Sequence, residues 1–310
     1  MMRFAGVCSA IVLVVVSSLA QAEQTGWELF DKVQHAVRQY NFDTSFVVLK
    51  GGKVDTYRWL HGRTAEQEIE HLIPMDTTGV DILRRDALVY YLLTDRPAFV
   101  TRSDSIRELP QLLFESKAVV SSLYNAVVGG NSLMSGRSAQ LLRLTAKEPG
   151  RYSYWLWLDD ETGFPLRIDT LSEQQTALER WLVTHMQINP ELPENLRALM
   201  AAELPSAPEK AVRQAPDNHQ HQLGWMPQGY APVAEPASIP QLDTQLLGYW
   251  LLSDGLHQVS VFIQPSQRLP TQAFRDGATT IYVQTDEQFE VTVIGPVSLD
   301  TARQLASAVK

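Results

Sequence analysis

The stretch GRYSYWLWLDDETGFPLRIDTLSE, from Gly150 to Glu173, reads as a strand, a turn and a second strand. Side chains alternate across a strand, so Tyr152, Tyr154, Leu156 and Leu158 share one face while Trp155 and Trp157 share the other. A strand that is apolar on both sides has to be covered on both. The domain's own helices supply one cover. Plain protein packing is the simpler source of the other, and a bound acyl chain, a partner peptide or a second domain is the sharper one, because a wide apolar face does not stay exposed. The adjacent carboxylates Asp159, Asp160 and Glu161 lie in the DDETG turn, where solvation accounts for them. Glycosidase acid/base pairs come from separate elements.

The same alternation recurs on both sides of this stretch. TSFVVLKGGKVDTYRWLHG suits a hairpin turning at Gly51-Gly52, EQEIEHLIP alternates around Ile69, and DILRRDALVYYLLTD suits a strand pair turning near Arg85-Asp86. SAQLLRLTA precedes the KEPG turn as a further strand, whereas TALERWLVTHMQI fits a strand or a helix equally. Helical spacing of Leu29, Val33, Ala36, Val37 and Tyr40 predicts an amphipathic helix in TGWELFDKVQHAVRQYNF, with Thr25 able to cap it. SKAVVSSLYNAVV (116–128) predicts a short helix.

A length of 310 residues suits two domains, and nine of the 17 prolines fall between Pro190 and Pro240. Within that region Pro205–Gln222 has no apolar period of either kind, so 191–222 reads as a semi-stiff linker between domains at 23–190 and 223–310. Beyond it QLLGYWLL, HQVSVFIQ, TTIYVQ and FEVTVIG are strand-like, and SLDTARQLASAVK is a closing helix capped by Ser298. Many antiparallel strands with a few helices make both halves α+β. The start of the chain is of another kind. Arg3, the apolar run AGVCSAIVLVVVSSLA and the small-x-small Ala20-Gln21-Ala22 form a secretory signal peptide over 1–22, too short for a membrane span. Cys8 is the only cysteine, so an exported chain cleaved before Glu23 has neither disulfide nor thiolate-bound metal. Those features point to the periplasm. Formal net charge is −9, and both halves are acidic, which argues against nucleic-acid binding.

Candidate chemistry is sparse. Ser253, Asp254 and His257 crowd into LLSDGLHQVSVFIQP (251–265), but Asp254-Gly255 is a favoured turn pair, and a catalytic triad draws its members from separate elements. His219 and His221 sit in the polar linker without further ligands nearby. His61 and His71 flank a strand, where hydrogen-bonded histidines are commoner than pH sensors. Gly129-Gly130 lacks the Lys-Ser/Thr of a phosphate loop and reads as a turn. No catalytic residue, cofactor or metal site is expected.

GRYSYWLWLDDETGFPLRIDTLSE and MSGRSAQLLRL (134–144), followed by LGWMPQGY (223–230), LLSDGLHQVSVFIQP and VTVIGPVSLDTARQLASAV (291–309), resemble the MucB/RseB family of periplasmic stress-response regulators. Order and spacing fit across essentially the whole exported chain. The resemblance implies an N-terminal open half-barrel of antiparallel strands over helices, similar to periplasmic lipoprotein carriers, and a smaller C-terminal sheet with helix. It implies a protein that binds the periplasmic segment of a transmembrane anti-sigma factor and shields it from proteolysis. Lipopolysaccharide or lipoprotein acyl chains would act as the releasing signal, with self-association part of the off state. On that footing Trp155, Trp157, Trp225, Tyr230, Tyr249 and Phe262 are the aromatic candidates for ligand or partner contact. The alternative is a periplasmic lipoprotein or lipid carrier, and an envelope enzyme comes third.

Overall fold

The computed structural model describes residues 25–76, 80–95, 97–204, 206, 220–233, 246–268 and 270–310. The segment read from sequence as a signal peptide and most of the proline-rich segment read as a linker, including His219, lie outside them. Seventeen strands form two antiparallel sheets among the described residues. No helix there is long and apolar enough to cross a membrane.

The larger sheet has eleven strands. β1 (Asn41–Lys50) and β2 (Lys53–Arg63) make the hairpin at Gly51-Gly52, and β3 (Glu68–Pro74), β4 (Val80–Arg85), β5 (Leu88–Leu93) and β6 (Phe99–Arg102) continue the meander outward. On the other side of β1 come β11 (Ala177–Asn189), β10 (Pro165–Leu171), β9 (Ser153–Asp159), β8 (Arg137–Ala146) and β7 (Tyr124–Met134). β6 and β7 are the two ends and do not pair, so the barrel stays open.

One face is filled by helix. α1 (25–39) buries Phe30, Val33, Ala36 and Val37 completely. They join one cluster with Phe42, Phe46, Trp59, Leu142, Leu156, Ile168 and Trp181 of the sheet. The alternation that places Phe42, Thr44, Phe46 and Val48 inward is therefore matched to the 3.6-residue stripe of α1. α2 (Lys117–Leu123) adds Val120 and Leu123, and its N-cap Ser116 Oγ accepts from Val119 N at 3.3 Å.

The smaller sheet runs β12 (Ala231–Pro232), β13 (Gly248–Ser253), β14 (Gln258–Pro265), β17 (Phe289–Gly295), β16 (Thr279–Thr285) and β15 (Gln272–Asp276). α4 (Leu299–Ser307), capped by Ser298 Oγ accepting from Thr301 N at 3.1 Å, packs Ala302, Leu305 and Ala306 against Val261, Ile263, Val291 and Val293.

Two expectations change and one open alternative is settled. The predicted helix over 116–128 ends at Leu123, and Tyr124–Val128 belong to β7. Tyr, Val and Val favour the pleated surface, and periodicity alone does not mark where one element hands over to the next. The segment assigned to the linker from 191 onward holds α3 (Glu194–Ala201), whose Leu196 is fully buried with Leu60, Ile69 and Leu83 on the face opposite α1. Its apolar spacing is hidden by the prolines on either side. A Cβ at Gly62 would lie 2.2 Å from Leu192 Cδ1 and 3.0 Å from Leu196 Cδ1, so those leucine side chains would have to shift to admit one. Finally, TALERWLVTHMQI resolves to strand, as β11.

Leu196→Ala is expected to cost the larger sheet about 2–4 kcal/mol. Urea denaturation followed by tryptophan fluorescence checks this, and an unchanged midpoint would mean that α3 does not help hold the sheet.

Candidate functional site

The two faces of β9 meet different covers. Leu156 and Leu158 point into the α1-filled interior. On the opposite face Trp155 and Trp157 stand edge to face with centroids 6.1 Å apart. The Arg167 guanidinium lies 4.2 Å from the Trp157 centroid, a cation–π contact that leaves this indole 8% exposed. Arg167 is held in turn by Asp169, which also accepts from Arg180 Nε at 2.9 Å and Nη2 at 3.0 Å. Burial would raise the Asp169 carboxyl, but the bonds from Arg167 and Arg180 outweigh it and hold the group below the usual carboxylate range. Trp157 is thus covered by the chain itself, and Trp155 remains half-buried beside it.

The residue pair before β9 leaves this sheet altogether. Arg151 Nε donates to Asp254 Oδ2 of the smaller sheet at 3.0 Å, and the two side chains are 4% and 0% exposed. Tyr152 OH donates to Val297 O at 2.6 Å. Tyr154 OH lies 2.8 Å from His257 Nε2, and His257 Nδ1 lies 3.3 Å from Asp254 Oδ2. Arg151 also sits 5.8 Å from the Tyr230 ring centroid. The LLSDGLHQ segment is therefore a turn whose tip is the contact between the two sheets. Asp254 Oδ1 accepts from Leu256 N at 3.0 Å and His257 N at 2.7 Å, and Ser253 Oγ accepts from Gly255 N at 3.1 Å. Gly255 takes φ 93°, and a Cβ on it would lie 3.0 Å from Val119 Cγ1 of α2. Burial would raise the Asp254 carboxyl, but the His257 side-chain bond and charge, with the two amide bonds, hold it well below its usual value. At a second point of the seam Lys50 Nζ lies 3.7 Å from Asp276 Oδ2.

This geometry does not make a nucleophile. The far nitrogen of His257 meets Tyr154, not Ser253, and burial pushes the Tyr154 hydroxyl up rather than activating it. Among the described residues no three His, Cys, Asp or Glu side chains gather as metal ligands. His221 stands edge to face with Phe289 at 5.2 Å. His61 is fully buried, 2.6 Å from Tyr40 O and 3.2 Å from Glu68 Oε1, and His71 lies 3.3 Å from Asp81. Burial would raise Glu68, yet the bond from His61 and the charge of Arg84 bring its pKa down to about 2.

The six aromatic candidates do not converge. Trp155 and Trp157 lie on the face of β9 opposite Leu156 and Leu158, with Trp157 in the same buried apolar cluster as α1 and Trp155 packed against it. Tyr249 and Phe262 are buried core, 5.0 Å apart on the side of the smaller sheet away from α4. Trp225 and Tyr230 are half-buried against the α4 cluster. Asp159 differs from its reading as a solvated turn residue. It is 3% exposed, accepting from Arg137 Nε at 2.6 Å and Thr162 N at 3.0 Å, because the DDETG turn folds back over β8. Arg151, Tyr152, Tyr154 and His257 were missed as a set. Only the turn chemistry at Asp254-Gly255 signalled half of it.

The MucB/RseB N-terminal domain matches residues 25–206 and the MucB/RseB C-terminal domain residues 215–310. The sigma-E factor regulatory protein RseB of Haemophilus influenzae is 27% identical over 300 residues, which cover 96% of this chain and 95% of that protein. The protein of the same name from Escherichia coli K12 is 25% identical over 297 residues, covering 95% and 93%. The structure of the Pseudomonas aeruginosa MucA/MucB complex superposes with a TM-score of 0.69 at 22% identity, covering 92% of this chain and 98% of that one, which shows a common fold.

Asp254→Ala leaves Arg151 buried without its counter-charge, a loss of about 3–5 kcal/mol in sheet-to-sheet docking. Small-angle scattering should show a longer particle at neutral pH, and a profile identical to wild type would mean that the ion pair does not hold the seam. Because the folded Asp254 pKa is depressed, its contribution is present above the ordinary carboxylate range and disappears as pH falls through the lower folded value. The wild-type profile should accordingly hold from pH 8 to about pH 4 and lengthen only below that.

Proposed function

This chain belongs to the MucB/RseB family, and we propose that it is a negative regulator of a sigma-E-type envelope stress response. In the periplasm it binds the periplasmic segment of a membrane anti-sigma factor and shields that segment from proteolysis until a lipid-bearing signal releases it. The observation that carries the reading is the match of both family domains, in order, over 25–206 and 215–310. The likeness of fold to MucB in a MucA/MucB complex supports it.

Shielding needs no catalysis. A backbone docked on a folded surface cannot enter a protease cleft, so protection follows occupancy. Release follows from a second ligand that prefers the partner-free arrangement. Such a ligand acts only through its differential affinity, and about 1.4 kcal/mol of preference gives at most tenfold relief. The seam at Arg151 and Asp254 is the natural element to carry two arrangements, since among the described residues it is the fully buried ion pair that joins one sheet to the other. The larger sheet takes the lipid in this reading and the smaller sheet contributes to partner binding. An acyl chain entering the larger sheet must displace α1 or the Phe46, Trp59 and Trp181 cluster, because those residues fill the interior. That requirement counts against the carrier alternative, which needs a cavity that empties and refills.

Capture from envelope extract with the tagged exported chain, followed by mass spectrometry, tests the proposal. A single-span anti-sigma factor should be recovered and then displaced by added lipopolysaccharide. Recovery of lipoproteins or free lipid without such a factor would transfer the function to the carrier reading.

A further inference from the structure

Four strand edges end the two sheets among the described residues, and three of them carry the features by which proteins blunt an edge. β6 is four residues long, β12 is two and includes Pro232, and β15 is five with Arg275 and Asp276 on it. β7 is different. It runs for 11 residues, YNAVVGGNSLM, without a charged side chain or a proline. Leu133 near its end is 73% exposed, more than any other exposed large apolar residue among those described. Its single irregularity is a register shift against β8 between Val128 and Asn131, at the Gly129-Gly130 pair. A Cβ at Gly130 would meet nothing within 4 Å, so the edge there faces open space.

The edge begins at the seam. The ring of Tyr124, the first residue of β7, lies 5.7 Å from that of Tyr154, which contacts His257, and Val119 of the preceding helix lies against Gly255. A strand laid along β7 would therefore run from the junction of the two sheets out to Leu133.

We propose that β7 is the docking edge for an extended, uncharged and aliphatic segment of the partner protein, which adds to the larger sheet as a further strand. The inference rests on the partner-binding reading above. Main-chain hydrogen bonds to the open edge would supply affinity, and alternate apolar side chains would pack beside Leu133 and the half-buried Val128, which the register shift places on one face. A backbone paired in this way is also one that a protease cannot draw into its own extended-strand cleft. A second copy of this chain fits less well. The six residues from Gly129 to Met134 span about 20 Å of strand at ~3.3 Å per residue. At a depth of ~10 Å that strip is about 200 Å², short of the roughly 800 Å² per partner of a stable dimer. A flexible peptide follows the register shift and continues into the seam, whereas a rigid second copy meets only the strip.

Hydrogen exchange and affinity measurements on the full exported chain test this. The probe is the periplasmic segment of the single-span protein recovered by capture. Binding should slow exchange of the 127–134 amides about tenfold or more. The double variant Asn131→Lys with Leu133→Lys should weaken binding roughly tenfold by placing two charges on the edge, while Ala273→Lys on β15 should leave it unchanged. Both β7 positions are exposed, and if the double variant still fails to fold, exchange in the wild type decides. Tight wild-type binding with no protection of β7 overturns strand addition and leaves the partner-binding reading intact. Failure of the wild type to bind overturns both. Protection that appears in the protein alone, and grows with its concentration alongside a dimer in sedimentation, would give the edge to a second copy and overturn the peptide.

Discussion

Arg151 and Asp254 are 103 residues apart in the chain, and each is the other's counter-charge in a place that water scarcely reaches. Removing two ions from water is unfavourable, and the pair holds only while both partners and their remaining bonds are satisfied. Arg151 also reaches Gln228 O at 3.4 Å and lies over Tyr230, while Asp254 takes two backbone amides of its own turn and the ring of His257. The rest of the arrangement depends on that completeness. A hydrophobic contact between sheets would tolerate sliding, whereas a buried ion pair tolerates very little.

The consequence is a two-domain protein with one preferred docking and a high cost for intermediate ones. Each sheet has its own helix-covered core, so neither needs the other to fold locally. What the seam adds is relative position. In the proposed function, where a partner's backbone is covered, relative position would decide which surfaces the two sheets present together.

Much of the fold was legible in the sequence. The alternation in β1, the Gly51-Gly52 turn, the α1 stripe and the Ser298 cap each follow from local rules that tertiary packing did not overrule. α3 was not legible because eight residues between prolines carry too little periodicity to stand out. β15 was missed because an exposed edge strand has no buried face to impose alternation. The site was harder still. Trp155 and Trp157 were rightly placed on one face, but the guanidinium covering Trp157 comes from β10, and no spacing rule links a tryptophan to an arginine ten residues on. Asp254 could be read as a turn residue, yet its partner Arg151 lies on the other side of the linker. Long-range charge pairing leaves no local signature.

Shielding of the partner is tested most directly by a cleavage time course. The purified periplasmic segment of the anti-sigma partner would be digested by an envelope protease with and without a saturating amount of the exported chain. Cleavage should slow in proportion to the fraction of partner bound and recover when Asp254→Ala replaces the wild type. Equal cleavage rates with and without the bound protein would contradict it.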